Sequence, residues 1–444
     1  MTAASRPSPS RVPSSRSLMY VLMIFVVSAT LLSMTMLDIS PFMNEHLPKY
    51  HIRAETVAST GIKTKSRGIL ICLFDAMIPM TVSLIQELRT LGYTDVIQLY
   101  HCNGELSSIS QRMLHDVDSN IEIVDGCVEM QALGKLRHQD VNGYRSFWLK
   151  PLALVHTRLD EVILMDADDL VFQNPSRLFD VPGYKDTGTI FFYDREILKH
   201  EYLNGNYNDQ TNLHALVDTF NYAGVGLTKN PSAHLLSSLA WHGHAAHEQD
   251  SSIVVVHKSK APRAMTVLWT ILQHDRHRIG FSYGDKELFW MAYELAQEPY
   301  FFSPWANTGA EKPGNMANHP DTICGGLAQF MPLVSGKSEL LHINGGYIFN
   351  PYSNNDMQSM TDPDERAKQL LDQVPAFVSK RRTRSKALNK AEDDTDPLGF
   401  WPQECLVNRG SEPMRPQDVA AIRIRIKNAV AAAVTQQRLL QQAS

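Results

Sequence analysis

The chain contains no C-x-x-C pair, and its five cysteines (Cys72, Cys102, Cys127, Cys324 and Cys405) are sparse and odd in number. That argues against a thiolate zinc site, excludes a knottin-like scaffold and leaves room for zero to two disulfides. Neither charge dominates: 42 Lys and Arg stand against 47 Asp and Glu, so the net charge is −5 and the chain is not built to coat nucleic acid. No internal repeat and no collagen-like or coiled-coil period is present. Beyond residue 38 there is also no N-x-S/T sequon, since Asn230 is followed by Pro, and no N-glycosylation is expected there. What remains is ordinary in composition, with 20% charged and 43% hydrophobic residues over 444 positions. Such a chain is neither disordered nor an oily multispan protein. Its length suits one large domain or two medium ones.

One long uncharged run breaks this evenness. Leu18–Leu37 holds twenty residues without a charge, and a helix of that length spans roughly 30 Å, the hydrocarbon thickness of a bilayer. It exceeds the usual signal-peptide core of about 7–15 residues and ends in Met-Thr-Met-Leu-Asp, so a retained anchor is expected. Arg6, Arg11 and Arg16 precede it, whereas Asp38 and Glu45 follow. The positive-inside rule then puts 1–17 in the cytosol and everything after residue 38 across the membrane. The expected layout is a cytosolic tail (1–17), a transmembrane anchor (18–37) and a polar stem (38–66). An α/β domain over 67–352 follows, and a helical extension over 353–444 completes it.

The domain begins with GILICLF (68–74), a short apolar run of strand type. PMTVSLIQELRTLG (79–92) has helical spacing, and DVIQLYH (95–101) is a second strand, so the three form a βαβ unit and predict a parallel sheet. Further strands are expected at 121–126, 161–172, 187–194, 221–229, 251–258 and 340–346, the strand at 251–258 opening a long stretch towards 268–275. Helices are expected at 145–157 and 286–296. The basic run SKRRTRSK (379–386) reads as a solvated helix face. In 415–443, Ile422, Ile426, Val430 and Val434 recur at i, i+4 and lie on one helical stripe. That helix is expected to pack on the domain or, in a homo-oligomer, on its twin.

The chemistry concentrates in Leu164-Met165-Asp166-Ala167-Asp168-Asp169. Three acids directly after a hydrophobic strand are costly unless they emerge at the carboxyl edge of the sheet, where α/β proteins bind ligands. Asp166 and Asp168 can both reach one hard divalent cation from such a turn, and that cation can neutralise a diphosphate. Alternatively, the acids form a solvated turn or cap the next helix. About ten residues upstream of that strand, Tyr144, Arg145 and Lys150 offer a cation and an aromatic ring for a phosphate or a base, while Phe147 and Trp148 read first as core. Asp285 opens a helix, so it serves either as an N-cap or as a carboxylate beside a sugar.

Together these segments resemble a known family. Y-R-x-F-W-L-K-P-x-A-L (144–154), E-V-I-L-M-D-A-D-D-x-V-F-x-N-P-x-x-L-F (161–179) and G-D-K-E-L-F-W (284–290) look like the fungal-type Golgi α-1,3-mannosyltransferases. Gln329 with His342 is similar to a late Gln…His region of that family. The resemblance covers roughly residues 68–350. It implies a GT-A (Rossmann-like) fold, GDP-mannose as donor, a glycan or glycoprotein acceptor, and a retaining reaction in the Golgi lumen. It further implies Mn²⁺ held by Asp166, Asp168 and His342, nucleotide-sugar contacts from Lys150, Tyr144, Asp166 and Asp169, and catalytic carboxylates at Asp285 and Asp250. At 248–253 the chain reads E-Q-D-S-S-I, which keeps the acid at Asp250 but departs from the Ser-Gly-Gln that more often follows it.

Other classes fit less well. A phosphatase of the haloacid-dehalogenase type needs a hydroxyl residue two positions after its second Asp, and here that position is Leu170. A UDP-sugar hexosyltransferase shares the D-x-D logic. A membrane-tethered glycan-binding protein of the same fold would have no reason to keep the acid pair. Cys72, inside the first strand, is expected to be a buried free thiol, with the other four cysteines available for disulfides.

Overall fold

Buried aliphatic runs build the first sheet. β1 (Arg67–Cys72) pairs in parallel with β2 (Val96–His101), and β2 with β3 (Ile121–Asp125). On its other side β1 pairs in parallel with β4 (Glu161–Met165). The chain order therefore reverses at the β1/β4 junction. The computed structural model describes residues 67–312, 321–349, 362–384 and 405–443, all within one compact unit, Val57–Ser444. The anchor and stem expected at 18–66 lie outside the described residues. Among those described, no helix is long and apolar enough to cross a membrane.

After β4 comes the short β5 (Asp169–Val171), then β6 (Thr189–Tyr193) and a small hairpin of β7 (Asn206–Tyr207) and β8 (Gln210–Thr211). β9 (Gln249–His257) inserts antiparallel between β4 and β6, giving the order β3-β2-β1-β4-β9-β6. A second, antiparallel sheet follows from β10 (Thr308–Glu311), β11 (Ile323–Phe330), β12 (Leu340–Asn344), β13 (Phe377–Ser379), β14 (Cys405–Leu406) and β15 (Ser411–Pro413). Its order is β15-β13-β10-β11-β12-β5, with β14 beside β11. The expected single run 161–172 is thus two strands in two sheets, and the acidic turn is the crossing point between them.

The first sheet is buried on both faces, which is why its strands read as near-continuous apolar runs. Ile69, Ile71, Ile163, Met165, Ile253 and Val255 enter one core layer. Leu70, Val162, Leu164, Val254 and Val256 enter the other. α1 (Ile78–Thr90) lies in the first layer; α2 (Leu149–His156) and α3 (Leu288–Ala296) lie in the second.

Two expected elements differ. Residues 221–229 are not a strand: the Asn221 side chain accepts from Gly224 N at 3.1 Å, and Gly226 takes φ +74°, which closes a turn over Tyr222–Val225. The stretch to Asp275 is helical. Ala264, Val267, Leu268, Ile271 and Leu272 are buried at helical spacing in Pro262–Thr270 and the π-turn Ile271–Asp275.

The C-terminal residues complete the same body. β13 and β15 extend the second sheet, and a disulfide joins Cys324 of β11 to Cys405 of β14. A second joins Cys102 to Cys127, and Cys72 is free but only half-buried. The basic run is no solvated helix face either. Arg382 pairs with Glu196 at 3.1 Å and Arg384 with Glu248 at 2.9 Å, and Arg381 stacks over Trp305. α4 (Pro416–Ala443) lies against α1, burying Ile422, Ile426 and Val430, while Val434 is 38% exposed. An i, i+4 series drifts by about 40° per step, so the fourth member has left the stripe and Ala433 and Gln436 replace it.

Candidate active site

At the carboxyl ends of β1 and β4, where the strand order reverses, a cleft opens to solvent. Ligands bind at such switch points because the loops there diverge to opposite sides of the sheet. Cys72, Leu73 and Phe74 line it from the end of β1 and the residues after it, Phe147 and Lys150 from α2 and the turn before it, and Asp166 and Asp168 from the acidic turn after β4. Because β9 runs antiparallel to β4, its first residues arrive at this same edge. Asp166 N donates to Ser252 O at 2.9 Å.

Lys150 is the electrostatic centre. The residue is 6% exposed, and its ammonium lies 2.8 Å from Asp166 Oδ1 and 2.9 Å from Asp285 Oδ2 and donates to Ser251 O at 2.8 Å. Burial alone would lower its pKa, but the two carboxylates raise it, so it is firmly charged. Burial pushes Asp166 up to about 7; Lys150 opposes this, and the neighbouring Asp168 and Asp285 add to it. Asp168 is raised chiefly by burial. Asp169 is fully buried, both its carboxylate oxygens lack a hydrogen-bond partner, and burial with Asp166, Asp168 and Asp250 raises it far above the carboxylate range. The turn thus crowds together three carboxyl groups whose charged forms burial disfavours.

Asp250 has a different setting. It accepts from Ser252 N at 3.0 Å, from Ser252 Oγ at 3.1 Å and from Gln329 Nε2 at 2.9 Å. His342, on β12, is fully buried and meets Ser252 Oγ through Nε2 at 2.9 Å, and burial lowers its pKa to about 4. The expected late Gln…His region therefore reaches the β9 end, where His342 meets Ser252, which in turn donates to Asp250.

Among the described residues no three His, Cys, Asp or Glu side chains converge as a metal site, so the expected set of Asp166, Asp168 and His342 is not assembled. The acid pair by itself does fit a hard divalent cation. Both carboxylates line the open cleft, two positions apart on one turn, and oxygen ligands of this kind suit such a cation. Gly345 leaves the turn its space, since a Cβ there would lie 2.3 Å from Asp168 O.

Tyr144 does not reach the cleft. It is buried, stacks on Trp269 at 6.1 Å and lies under Arg276, so a core role displaces the expected nucleotide contact. Phe147, read as core, is instead 44% exposed and lines the cleft. Two ionic residues escaped the sequence reading: Lys286, 2.5 Å from buried Asp194, and Arg425, buried behind the acidic turn. Arg425 was detectable in principle. It sits three residues after Ile422 and four before Ala429, a charge on the apolar stripe.

Residues 66–328 match the protein family described as "Mannosyltransferase putative". The chain belongs to this family. It is 23% identical over 284 residues to the "Putative alpha-1,3-mannosyltransferase MNN14" of Candida albicans, covering 59% of this chain and 40% of that one. It is 22% identical over 338 residues to "Alpha-1,3-mannosyltransferase MNT2" of Saccharomyces cerevisiae, covering 70% and 58%. The chain spans about half the length of these curated relatives. Among solved structures it is similar to the galactosyltransferase LgtC, at 13% identity over 51% of this chain and 70% of that one, with a TM-score of 0.30. A likeness that slight decides nothing about this member of the family.

Proposed function

We propose that this mannosyltransferase-family chain is a metal-dependent, retaining glycosyltransferase of the GT-A type, moving mannose from GDP-mannose to a glycan acceptor. The observation that carries the proposal is Lys150 in the lining of the switch-point cleft, paired there with Asp166 and, behind the lining, with the buried Asp285. The family description and the names of the two relatives support mannose as the sugar and α-1,3 as the linkage. Asp166 and Asp168 would hold the cation, Mn²⁺, which when bound neutralises charge on the donor's diphosphate. Lys150 places a fixed positive charge beside that position and holds the buried Asp285 through an ion pair at 2.9 Å. Asp285 is then the carboxylate suited to stabilise an oxocarbenium-like sugar. Asp250, spent on three hydrogen bonds, holds the β9 end in place.

A donor panel tests this. The full chain, incubated with Mn²⁺ and GDP-mannose, UDP-glucose, UDP-galactose or UDP-N-acetylglucosamine, is expected to release nucleotide from GDP-mannose fastest and to stop when a chelator is added. Preference for a UDP-sugar would overturn the donor. Turnover of none would favour a glycan-binding protein that has lost its chemistry.

The location proposed for the enzyme is the Golgi membrane, with residues 18–37 as a type II anchor and the catalytic part in the lumen. The uncharged span with arginines before it supports this. Protease added to intact vesicles is expected to leave the part after residue 38 protected. Its digestion without detergent would reverse the topology.

A further inference from the structure

The family match ends at residue 328, yet a residue almost a hundred positions later reaches the back of the acidic turn. Arg425 of α4 is 1% exposed, and its guanidinium donates in three directions. Nη1 meets Glu87 Oε2 at 2.7 Å and the carbonyl of Asp169. Nη2 meets Ala167 O at 2.8 Å, and Nε meets Ser83 Oγ at 3.1 Å. Glu87, on α1, also accepts from Val171 N at 3.1 Å, just past the turn.

The backbone acceptors of the turn draw on three donors. Asp166 O accepts from Asp169 N at 3.3 Å and Asp168 O from Gly345 N at 3.1 Å. The other two carbonyls, of Ala167 and Asp169, both accept from Arg425. A buried carbonyl without a donor is costly, so the turn's shape depends on this one side chain for half of its acceptors. Only an arginine presents several donors in a rigid planar fork; a lysine carries the same charge without that geometry. The guanidinium also places a fixed positive charge behind three crowded carboxylates, and its pull on Asp168 is favourable.

The geometry points to Arg425 as a positioning residue of the active site. By gripping the carbonyls of Ala167 and Asp169 it aims Asp166 and Asp168 into the cleft, which makes the C-terminal helix a working part of the catalytic unit. Arg425 touches no reacting atom. The proposal rests on the glycosyltransferase reading only for its kinetic consequence.

Hydrogen–deuterium exchange and kinetics on the full chain separate the two. In Arg425→Lys, amides in the peptide covering residues 166–171 are expected to exchange about 10-fold faster, while the core strands keep their protection. The turnover number is expected to fall by ~10²-fold, the cost of displacing reacting groups by about an ångström. Ile426→Val loosens the same helix without a hydrogen bond to the turn, and should change neither readout locally. Should Arg425→Lys fail to fold, Glu87→Gln is expected to produce the same local rise in exchange, because it removes the anion that orients the guanidinium. Wild-type exchange at 166–171 in the variant that folds, or a rise no greater than in Ile426→Val, would overturn the brace. If the wild type turns over no nucleotide sugar, the reading of the site falls, and the exchange result still decides the role of Arg425.

Discussion

Replacing Asp168 by alanine is expected to abolish transfer while the protein stays folded. Asp168 is half-buried at the cleft, and its removal relieves repulsion within the acidic turn, so no stability penalty comparable to the activity loss arises. The loss should reach at least ~10³-fold, the equivalent of the several kcal/mol that a cation contributes to developing diphosphate charge. Far-UV circular dichroism and a thermal scan check the fold, and product release from GDP-mannose checks the chemistry. His342→Ala is the informative contrast. Its Nε2 is spent on Ser252 Oγ, so its loss should loosen Asp250 and lower activity in a way that added Mn²⁺ does not relieve. Relief by Mn²⁺ would return His342 to the ligand set. Full activity in Asp168→Ala, with a chelator inert on the wild type, would remove the metal-dependent reading.

Lys150→Met carries the second large effect, and it falls on both stability and rate. The substitution conserves length but leaves Asp166 and Asp285 facing each other around an apolar side chain. Removing one partner of a buried ionic group typically costs about 3–5 kcal/mol, because the remaining charge is stranded. Asp166, already raised to about 7, loses the one cation that holds it down and moves higher. Its protonated form then dominates at neutral pH, so part of the stability loss is recovered on acidification. A depressed melting temperature at pH 8 that partly recovers at pH 6 is the signature. Turnover should fall by ~10²–10³-fold, as when a preorganised charge is removed from a transition state. A variant with wild-type melting and wild-type turnover would show that Lys150 merely fills the cleft.

These effects lie on residues that sequence reasoning reached unevenly. The acidic turn was legible because three carboxylates after a five-residue buried strand have few places to go but the edge of a sheet. Lys150 was legible as a cation near that edge. Its two partners were not, since Asp166 and Asp285 lie 16 and 135 positions away and nothing local measures that closure. The four cysteines available for bridging were identifiable, whereas their pairing as 102–127 and 324–405 depends on which strands end side by side.

By itself, then, the sequence determined the elements whose pattern is periodic and nearby: β1, α1, β2, the strand before the acids, the C-terminal helix, and the freedom of Cys72. Hydrophobic period is a local property, read within about a dozen residues. Tertiary structure alone decided where the chain changes sheets at Asp169, why Tyr144 turns into the core while Phe147 turns out, and how Asp250 is tied to Ser252 and Gln329. It also decided that Arg425 closes the turn from behind, 256 residues from the carbonyl it holds. Those arrangements come from satisfying buried charges and backbone carbonyls with whichever donor the packed layers bring within about 3 Å. That requirement acts through space and leaves no spacing in the chain to read.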